Sequence, residues 1–208
     1  MRVRVKICGF TEPEALDAAI QAGVDAVGFV LDPSPRQLTL EQAARLIARV
    51  PEDVDTVAVV GRPDLAYLLQ IRDKLAPRWI QIMADALPPV PDRAGLRLIP
   101  AFQDGPDLMQ RVKTYKAETG RKLPLVLVDG PSPGSGRLAD WDQVAQVSSS
   151  ARLMLAGGIR AENVADAIRR VRPHAVDLSS GVERTRGEKD SGLIREFMAA
   201  VRAVEIAP

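Results

Sequence analysis

The sequence has few of the residues on which disulfides and zinc sites depend, with one cysteine and one histidine among 208 residues. A single cysteine excludes a disulfide within the chain and suits the reducing cytoplasm. One cysteine and one histidine are too few to build the usual zinc site. We therefore expect a cytoplasmic protein that contains no metal.

An excess of charge of one sign is also missing, because 28 basic and 27 acidic residues leave a formal net charge of +1. A nearly neutral chain has no electrostatic basis for binding nucleic acid or an anionic membrane. No apolar run approaches the roughly 20 residues that a membrane helix needs, and the N-terminus leads directly into a predicted strand rather than a signal peptide. The expected partners therefore exclude nucleic acids and membranes, and any anionic ligand must be bound by local groups.

Short apolar segments alternate with amphipathic ones along the whole chain. Alternating strands and helices indicate parallel βαβ units, and eight such units in about 200 residues fit one α/β domain, a (βα)8 TIM barrel over residues 1–208. An open doubly wound sheet is the second possibility, but no G-x-G-x-x-G follows the first strand. The predicted strands are 3–7, 26–31, 56–60, 79–83, 96–101, 123–128, 153–156 and 175–178.

Three local patterns predict how helices begin or fail to form. Thr11 is followed three residues later by Glu14, and Thr39 by Gln42, so each pair predicts a capping box at a helix N-terminus. In residues 84–93, three prolines leave little room for a regular helix. We expect an irregular crossover there.

Function in such a barrel lies on the loops that follow the carboxyl ends of the strands. Lys6 and Cys8 share one face of the first strand because side chains alternate along a strand. A nearby ammonium group favours the thiolate, so Cys8 is a candidate general base or nucleophile. The alternative, in which Cys8 is a small buried apolar side chain, stays open at this point.

Two further charged residues follow predicted strands. Pro33 and Pro35 stiffen the loop that carries Arg36, and a guanidinium held in this way can bind a carboxylate through two hydrogen bonds. Asp129 lies in phase with the leucines of the sixth strand, so it is expected at the barrel mouth if those leucines fill the interior. An ordinary surface arginine is the alternative interpretation of Arg36.

Small residues follow the sixth, seventh and eighth strands. These barrels commonly bind phosphate after their last two strands, through backbone N–H groups and a short helix N-terminus, and a glycine-rich loop can also bring N–H groups against an anion. Tight turns or a flexible connection are the alternative interpretation. The predicted phosphate-binding residues are Gly134, Ser135, Gly136, Gly157, Gly158, Ser179, Ser180 and Gly181.

Taken together, these segments resemble phosphoribosylanthranilate isomerase, a single-barrel enzyme of tryptophan biosynthesis. The resemblance runs in the same order through nearly the whole chain. It is carried by Lys6-Ile7-Cys8-Gly9, Gly28-Phe29-Val30, Ser34-Pro35-Arg36, Pro133-Gly134-Ser135-Gly136, Leu155-Ala156-Gly157-Gly158-Ile159, Glu162-Asn163-Val164 and Val176-Asp177-Leu178-Ser179-Ser180-Gly181-Val182-Glu183.

The resemblance implies an Amadori rearrangement of N-(5-phosphoribosyl)anthranilate to 1-(2-carboxyphenylamino)-1-deoxyribulose 5-phosphate, with no cofactor. It implies that Cys8 is the general base, that Asp129 is the general acid, and that Arg36 contacts the anthranilate carboxylate. Such barrels occur as monomers and as homodimers. The resemblance also implies that Asp177 lines the pocket, and the predicted substrate-binding residues are Lys6, Arg36, Gln81 and Asp177.

The chain departs from the family pattern in two places. The family usually has Gln-Leu-His-Gly at the fourth strand, where this chain has Gln81-Ile82-Met83-Ala84. At the end of the third strand, Val60-Gly61-Arg62 replaces a Phe-Val-Asn-like run. The missing histidine removes a polar group from the pocket. Two other functions therefore stay open: a related phosphosugar isomerase or synthase, and a non-catalytic barrel that binds a phosphorylated ligand.

The implied chemistry requires an unusual pair of charge states. Ordinary pKa values are about 8.5 for cysteine and about 3.9 for aspartate. Cys8 must nevertheless lose its proton, which a cation such as Lys6 would assist, and Asp129 must keep one, which burial and nearby anions would assist. We therefore expect a lowered pKa at Cys8 and a raised pKa at Asp129.

Overall fold

The computed structural model of the chain describes residues 2–88, 94–119, 125–131 and 137–204. Eight parallel strands pair in chain order, and β1 also pairs with β8, so the sheet closes into a barrel. This confirms the predicted (βα)8 TIM barrel. The strands are β1 Arg4–Cys8, β2 Ala26–Val30, β3 Asp55–Val59, β4 Trp79–Met83, β5 Leu98–Gln103, β6 Val126–Asp129, β7 Leu153–Leu155 and β8 Ala175–Leu178.

Seven α-helices of the described residues surround this barrel. They present apolar residues to the strands, as the spacing of those residues predicts. The helices are α1 Pro13–Gln21, α2 Leu40–Ile47, α3 Leu65–Leu75, α4 Leu108–Thr119, α5 Trp141–Ser148, α6 Val164–Val171 and α7 Ser191–Arg202.

One of the two predicted capping boxes is confirmed and the other is wrong. At α2, the Thr39 side chain accepts from the Gln42 backbone N–H, and the Gln42 side chain accepts from the Thr39 backbone N–H. At α1 the N-cap residue is Glu12, which makes no side-chain cap hydrogen bond. Thr11 instead donates its hydroxyl to the carbonyl of Gly187, 3.3 Å away. A long-range contact therefore replaces the local one that the pattern predicts.

The connection between β4 and β5 is irregular over its described part, as the prolines predict. It begins with a single 3₁₀ turn, Ala84–Ala86, and no α-helix follows before β5 in the residues described there. All of residues 89–93, including two of the three prolines, lie outside the described residues.

Side chains alternate between the barrel interior and the layer under the helices. In β6, Leu127 belongs to the interior cluster, whereas Val126 and Val128 pack in the outer layer. This alternation directs Asp129, the next residue in phase with Leu127, toward the barrel mouth. The buried interior residues are Ala26, Val57, Ile99, Ala101, Leu127, Met154, Ala156 and Ala175.

A short hairpin after β8 is a feature that the sequence pattern did not predict. A 3₁₀ turn, Ser180–Val182, leads into β9 Glu183–Thr185, which pairs antiparallel with β10 Glu188–Lys189. This segment is rich in charge and lacks the apolar alternation that marks a strand. Within the described residues, no helix has the length and apolar character needed to cross a membrane.

Candidate active site

A cavity of about 400 Å³ opens at the carboxyl end of the barrel and is lined by residues from all eight strands or the loops after them. This is the end at which barrels of this type carry their active sites. Nine of the predicted site residues line the cavity: Cys8, Arg36, Gln81, Asp129, Gly157, Gly158, Asp177, Ser179 and Ser180. Gly134, Ser135 and Gly136 lie outside the described residues, so their predicted phosphate contacts stay predictions.

Cys8 ends β1 at the cavity and is 8% exposed. It pairs in register with Gly28 on β2, where a Cβ atom would lie only 2.8 Å from the Cys8 Sγ atom. A glycine at this position is therefore what makes room for the thiol. Burial raises the pKa of Cys8, although the Lys6 ammonium opposes this shift. The expected lowering of this pKa is therefore wrong, because burial favours the neutral thiol.

Lys6 is itself held by two partners on other strands. Its Nζ atom lies 2.9 Å from both carboxylate oxygens of Asp177 and 3.1 Å from Gln81 Oε1. Burial by itself would lower the pKa of Lys6, but the Asp177 carboxylate raises it above its ordinary value and keeps the amine charged. The Asp177 carboxylate also raises the pKa of Cys8, so it offsets part of the effect of Lys6 on the thiol.

Lys6 lies beneath the cavity rather than on its wall. Its side chain is 0% exposed, and the cavity surface at this point is formed by Asp177 and Gln81, both of which it holds. The direct substrate contact that the sequence predicts for Lys6 stays a prediction. In the structure, Lys6 fixes the orientation of two residues that do face the cavity.

Asp129 ends β6 and also lines the cavity. One carboxylate oxygen accepts a 2.8 Å hydrogen bond from the Gly130 backbone N–H. Burial raises the pKa of Asp129 to about 6, against the opposing effect of that hydrogen bond. A carboxyl group with such a pKa holds its proton in roughly a tenth of the molecules at pH 7. The direction agrees with the raised pKa that acid catalysis by this residue requires.

Arg36 is buried beside the cavity, with 6% exposure. Its Nε and Nη2 atoms donate to the two carboxylate oxygens of Glu183 at 2.6 and 2.8 Å, and Lys189 Nζ donates to the same carboxylate at 2.6 Å. Burial disfavours the charged form of Glu183, but these two cations outweigh it and lower the pKa to about 2. Arg36 is thus held by a carboxylate of the chain itself as well as by its loop.

The loops after β7 and β8 form the remaining wall. Gly157 and Gly158 line it with positive φ angles of 85° and 66°, which favour glycine. Ser179 donates its hydroxyl to the Cys8 carbonyl at 2.8 Å and accepts from Lys189 at 3.1 Å. Gly181 is not among the lining residues, and it packs so closely on the Ile159 carbonyl that a Cβ atom would clash there. The phosphate contact of Gly181 stays a prediction.

Sequence reasoning missed several charged residues of this region. Asp32 and Arg186 line the cavity, and Glu183 and Lys189 hold Arg36 and Ser179 beside it. Three of these residues belong to the unpredicted hairpin. Glu183 could have indicated this part of the site, because it ends the last motif of the resemblance, where it was given no role.

Comparisons with known proteins agree with this geometry. A family model described as N-(5'phosphoribosyl)anthranilate (PRA) isomerase matches residues 5–200. An N-(5'-phosphoribosyl)anthranilate isomerase from Bordetella pertussis is 39% identical over 214 aligned positions, which cover 99% of this chain and 98% of that protein.

Two solved structures extend the likeness to three dimensions. Monomers generated from the dimeric phosphoribosylanthranilate isomerase of Thermotoga maritima match with a TM-score of 0.82 and 30% identity, over 96% of this chain and 98% of theirs. A phosphoribosyl anthranilate isomerase in complex with reduced 1-(o-carboxyphenylamino)-1-deoxyribulose 5-phosphate matches with a TM-score of 0.79, 30% identity and the same coverage.

Proposed function

Because this chain belongs to the N-(5'-phosphoribosyl)anthranilate isomerase family, we infer that it isomerises N-(5-phosphoribosyl)anthranilate in tryptophan biosynthesis. The product is 1-(2-carboxyphenylamino)-1-deoxyribulose 5-phosphate, and the reaction changes an aminoaldose into an aminoketose. No atom is gained or lost overall, so the protein needs to supply only proton transfers and a bound geometry.

The observation that carries this proposal is that Cys8 and Asp129 line one cavity at the catalytic end of the barrel. A thiol and a carboxyl group are two proton-transfer groups with well separated pKa values. An aldose–ketose isomerisation needs two such groups, one acid and one base.

The first step opens the sugar ring. The Asp129 carboxyl donates its proton to the furanose oxygen, the bond from that oxygen to C1 breaks, and the nitrogen lone pair forms a protonated Schiff base with C1. Asp129 is suited to this step because burial raises its pKa to about 6. The phosphate and carboxylate of the bound substrate are anions, which raise this pKa further.

The second step moves a proton from C2. The Cys8 thiolate takes it, and the electron pair left behind neutralises the Schiff base and gives an enolamine. Protonation at C1 and loss of the proton on the C2 hydroxyl then give the ketose. The reactive combination, protonated Asp129 with ionised Cys8, is a minority of the free enzyme, because burial also raises the pKa of Cys8.

The two charged ends of the substrate anchor it in the cavity. Arg36 faces the carboxylate of the anthranilate ring with the part of its guanidinium that Glu183 does not use. Gly157, Gly158, Ser179 and Ser180 hold the phosphate. Asp177 and Gln81 contact the sugar, and Lys6 positions both.

A growth test decides the assignment in cells. The chain should restore growth without tryptophan to a strain that lacks this isomerase, and its Cys8→Ser variant should not. Lack of growth with the wild-type chain, expressed and folded, would contradict the proposed function. Growth with both forms would remove Cys8 from the mechanism.

The proposal also covers domain organisation, cellular location and oligomeric state. Residues 1–208 form a single catalytic domain, the enzyme is cytoplasmic, and it is either a monomer or a homodimer. A single cysteine, kept as a thiol for catalysis, suits a reducing compartment. Sedimentation of the purified chain distinguishes the two oligomeric states, and cell fractionation tests the location.

A further inference from the structure

The substrate of the proposed reaction carries two anionic groups, yet most of the positive charge near the cavity is already paired. Lys6 is matched by Asp177, and Arg36 shares Glu183 with Lys189. Asp32 and Asp129 add negative charge to the lining itself. An anionic ligand therefore needs a cation that the chain has not used internally.

Arg186 is such a cation. It lines the cavity with an exposed side chain, and no ion pair joins it to another described residue. Arg184, two residues earlier in the same hairpin, differs in both respects. It pairs with Glu188 at 3.3 Å and does not line the cavity.

The hairpin holds Arg186 at the end of the cavity that Arg36 occupies. Arg186 and Gly187 form the turn between β9 and β10, and Gly187 has a φ of 97°. The turn packs so closely on the loop after β2 that a Cβ atom on Gly187 would lie 2.8 Å from the Pro35 carbonyl oxygen. Pro35 is the neighbour of Arg36, so both guanidinium groups are carried by the same pair of packed loops.

We propose that Arg186 is a second residue that binds the carboxylate of the substrate's aromatic ring, together with Arg36. This inference rests on the proposed function and names a determinant of substrate affinity within the same site. Arg36 gives a fixed, buried contact, but its positive charge is shared with the Glu183 carboxylate. Arg186 supplies positive charge that no carboxylate of the described residues has paired. The hairpin thereby takes part in selecting a carboxylated substrate.

The kinetic test compares two arginines of one hairpin. Replacing Arg186 by Gln should raise KM for phosphoribosylanthranilate about tenfold, the effect of losing one charge-assisted contact at a partly exposed site, with little change in kcat. Arg186→Lys should keep part of the affinity. The matched control Arg184→Gln should leave both constants unchanged. Equal KM values in the wild type and Arg186→Gln would overturn the proposal.

A binding test identifies the end of the ligand that Arg186 contacts. The probes are reduced 1-(o-carboxyphenylamino)-1-deoxyribulose 5-phosphate and the same molecule without its carboxyl group. Arg186→Gln should weaken the carboxylated probe about tenfold and leave the other probe unchanged. Equal weakening of both probes, or weaker inhibition by inorganic phosphate, would overturn the assignment to the carboxylate. If the wild type failed to isomerise its substrate, the proposed function would fail, while these titrations would still decide the role of Arg186.

Discussion

Replacing Asp129 by Asn should make the protein more stable at neutral pH while it removes the proposed acid. Burial raises the pKa of this carboxyl from 3.8 to about 6. A difference of one in pKa corresponds to about 1.4 kcal/mol, so ionising Asp129 in the folded protein costs up to about 3 kcal/mol of stability at pH 7. The asparagine carbonyl can still accept from the Gly130 N–H, so the substitution keeps the local hydrogen bond.

The sign of the pH dependence follows from the same shift. Below a pH of 3.8, the carboxyl is neutral in both the folded and the unfolded chain, so it has no ionisation cost. As the pH rises through about 6, the unfolded chain releases the proton first, and the stability of the wild type falls relative to the variant. The difference should therefore be large at pH 7 and below about 1 kcal/mol near pH 4.

Urea denaturation of both proteins at the two pH values measures this difference. The contributions of all other titrating groups cancel in the difference, because the two proteins share those groups. Asp166→Asn is a suitable control, because its side chain is 71% exposed and its replacement should change the stability by a few tenths of a kcal/mol at most. If Asp129→Asn were no more stable than the wild type at pH 7, the claim that burial makes ionised Asp129 destabilising would be refuted.

Three further outcomes follow from the same site. Arg36→Ala should raise KM more than it lowers kcat; a lost kcat with an unchanged KM, measured in steady state, would contradict its binding role. Glu183→Gln should lower the free energy of unfolding by about 3 kcal/mol at pH 7, because two buried cations lose their carboxylate. That difference should be complete above pH 4.5 and shrink as the pH falls toward 2, because the pKa of Glu183 is lowered to about 2; a difference that is constant with pH would contradict this. The pH profile of kcat/KM should be bell-shaped, with an acid limb near 6 from Asp129 and an alkaline limb above the ordinary cysteine range; a flat profile would exclude both groups.

Strand periodicity was enough to predict the barrel, because each strand of a closed parallel sheet is buried on both sides and reads as an apolar run. Two strands, Trp79–Met83 and Ala175–Leu178, have the predicted bounds, and the others differ by one to three residues at one or both ends. The rule that function follows the carboxyl ends of the strands then placed nine candidate residues in one cavity.

The sequence did not predict the electrostatics of that cavity, which depend on contacts between distant residues. Lys6 and Asp177 are 171 positions apart, and only the register of β1 against β8 brings them together. Burial favours the thiol form of Cys8, and Asp177 offsets part of the opposing effect of Lys6. The hairpin that carries Glu183 and Lys189 was missed for a related reason, since its strands are charged and its partners lie on other loops.

The most direct test of the acid–base account is a steady-state assay of the purified chain on phosphoribosylanthranilate, beside its Cys8→Ser variant. We expect the wild type to form the aminoketose, and we expect the variant to show the same unfolding transition with kcat lower by orders of magnitude. Turnover by Cys8→Ser at a rate near that of the wild type would contradict the claim that this thiol moves the substrate's proton.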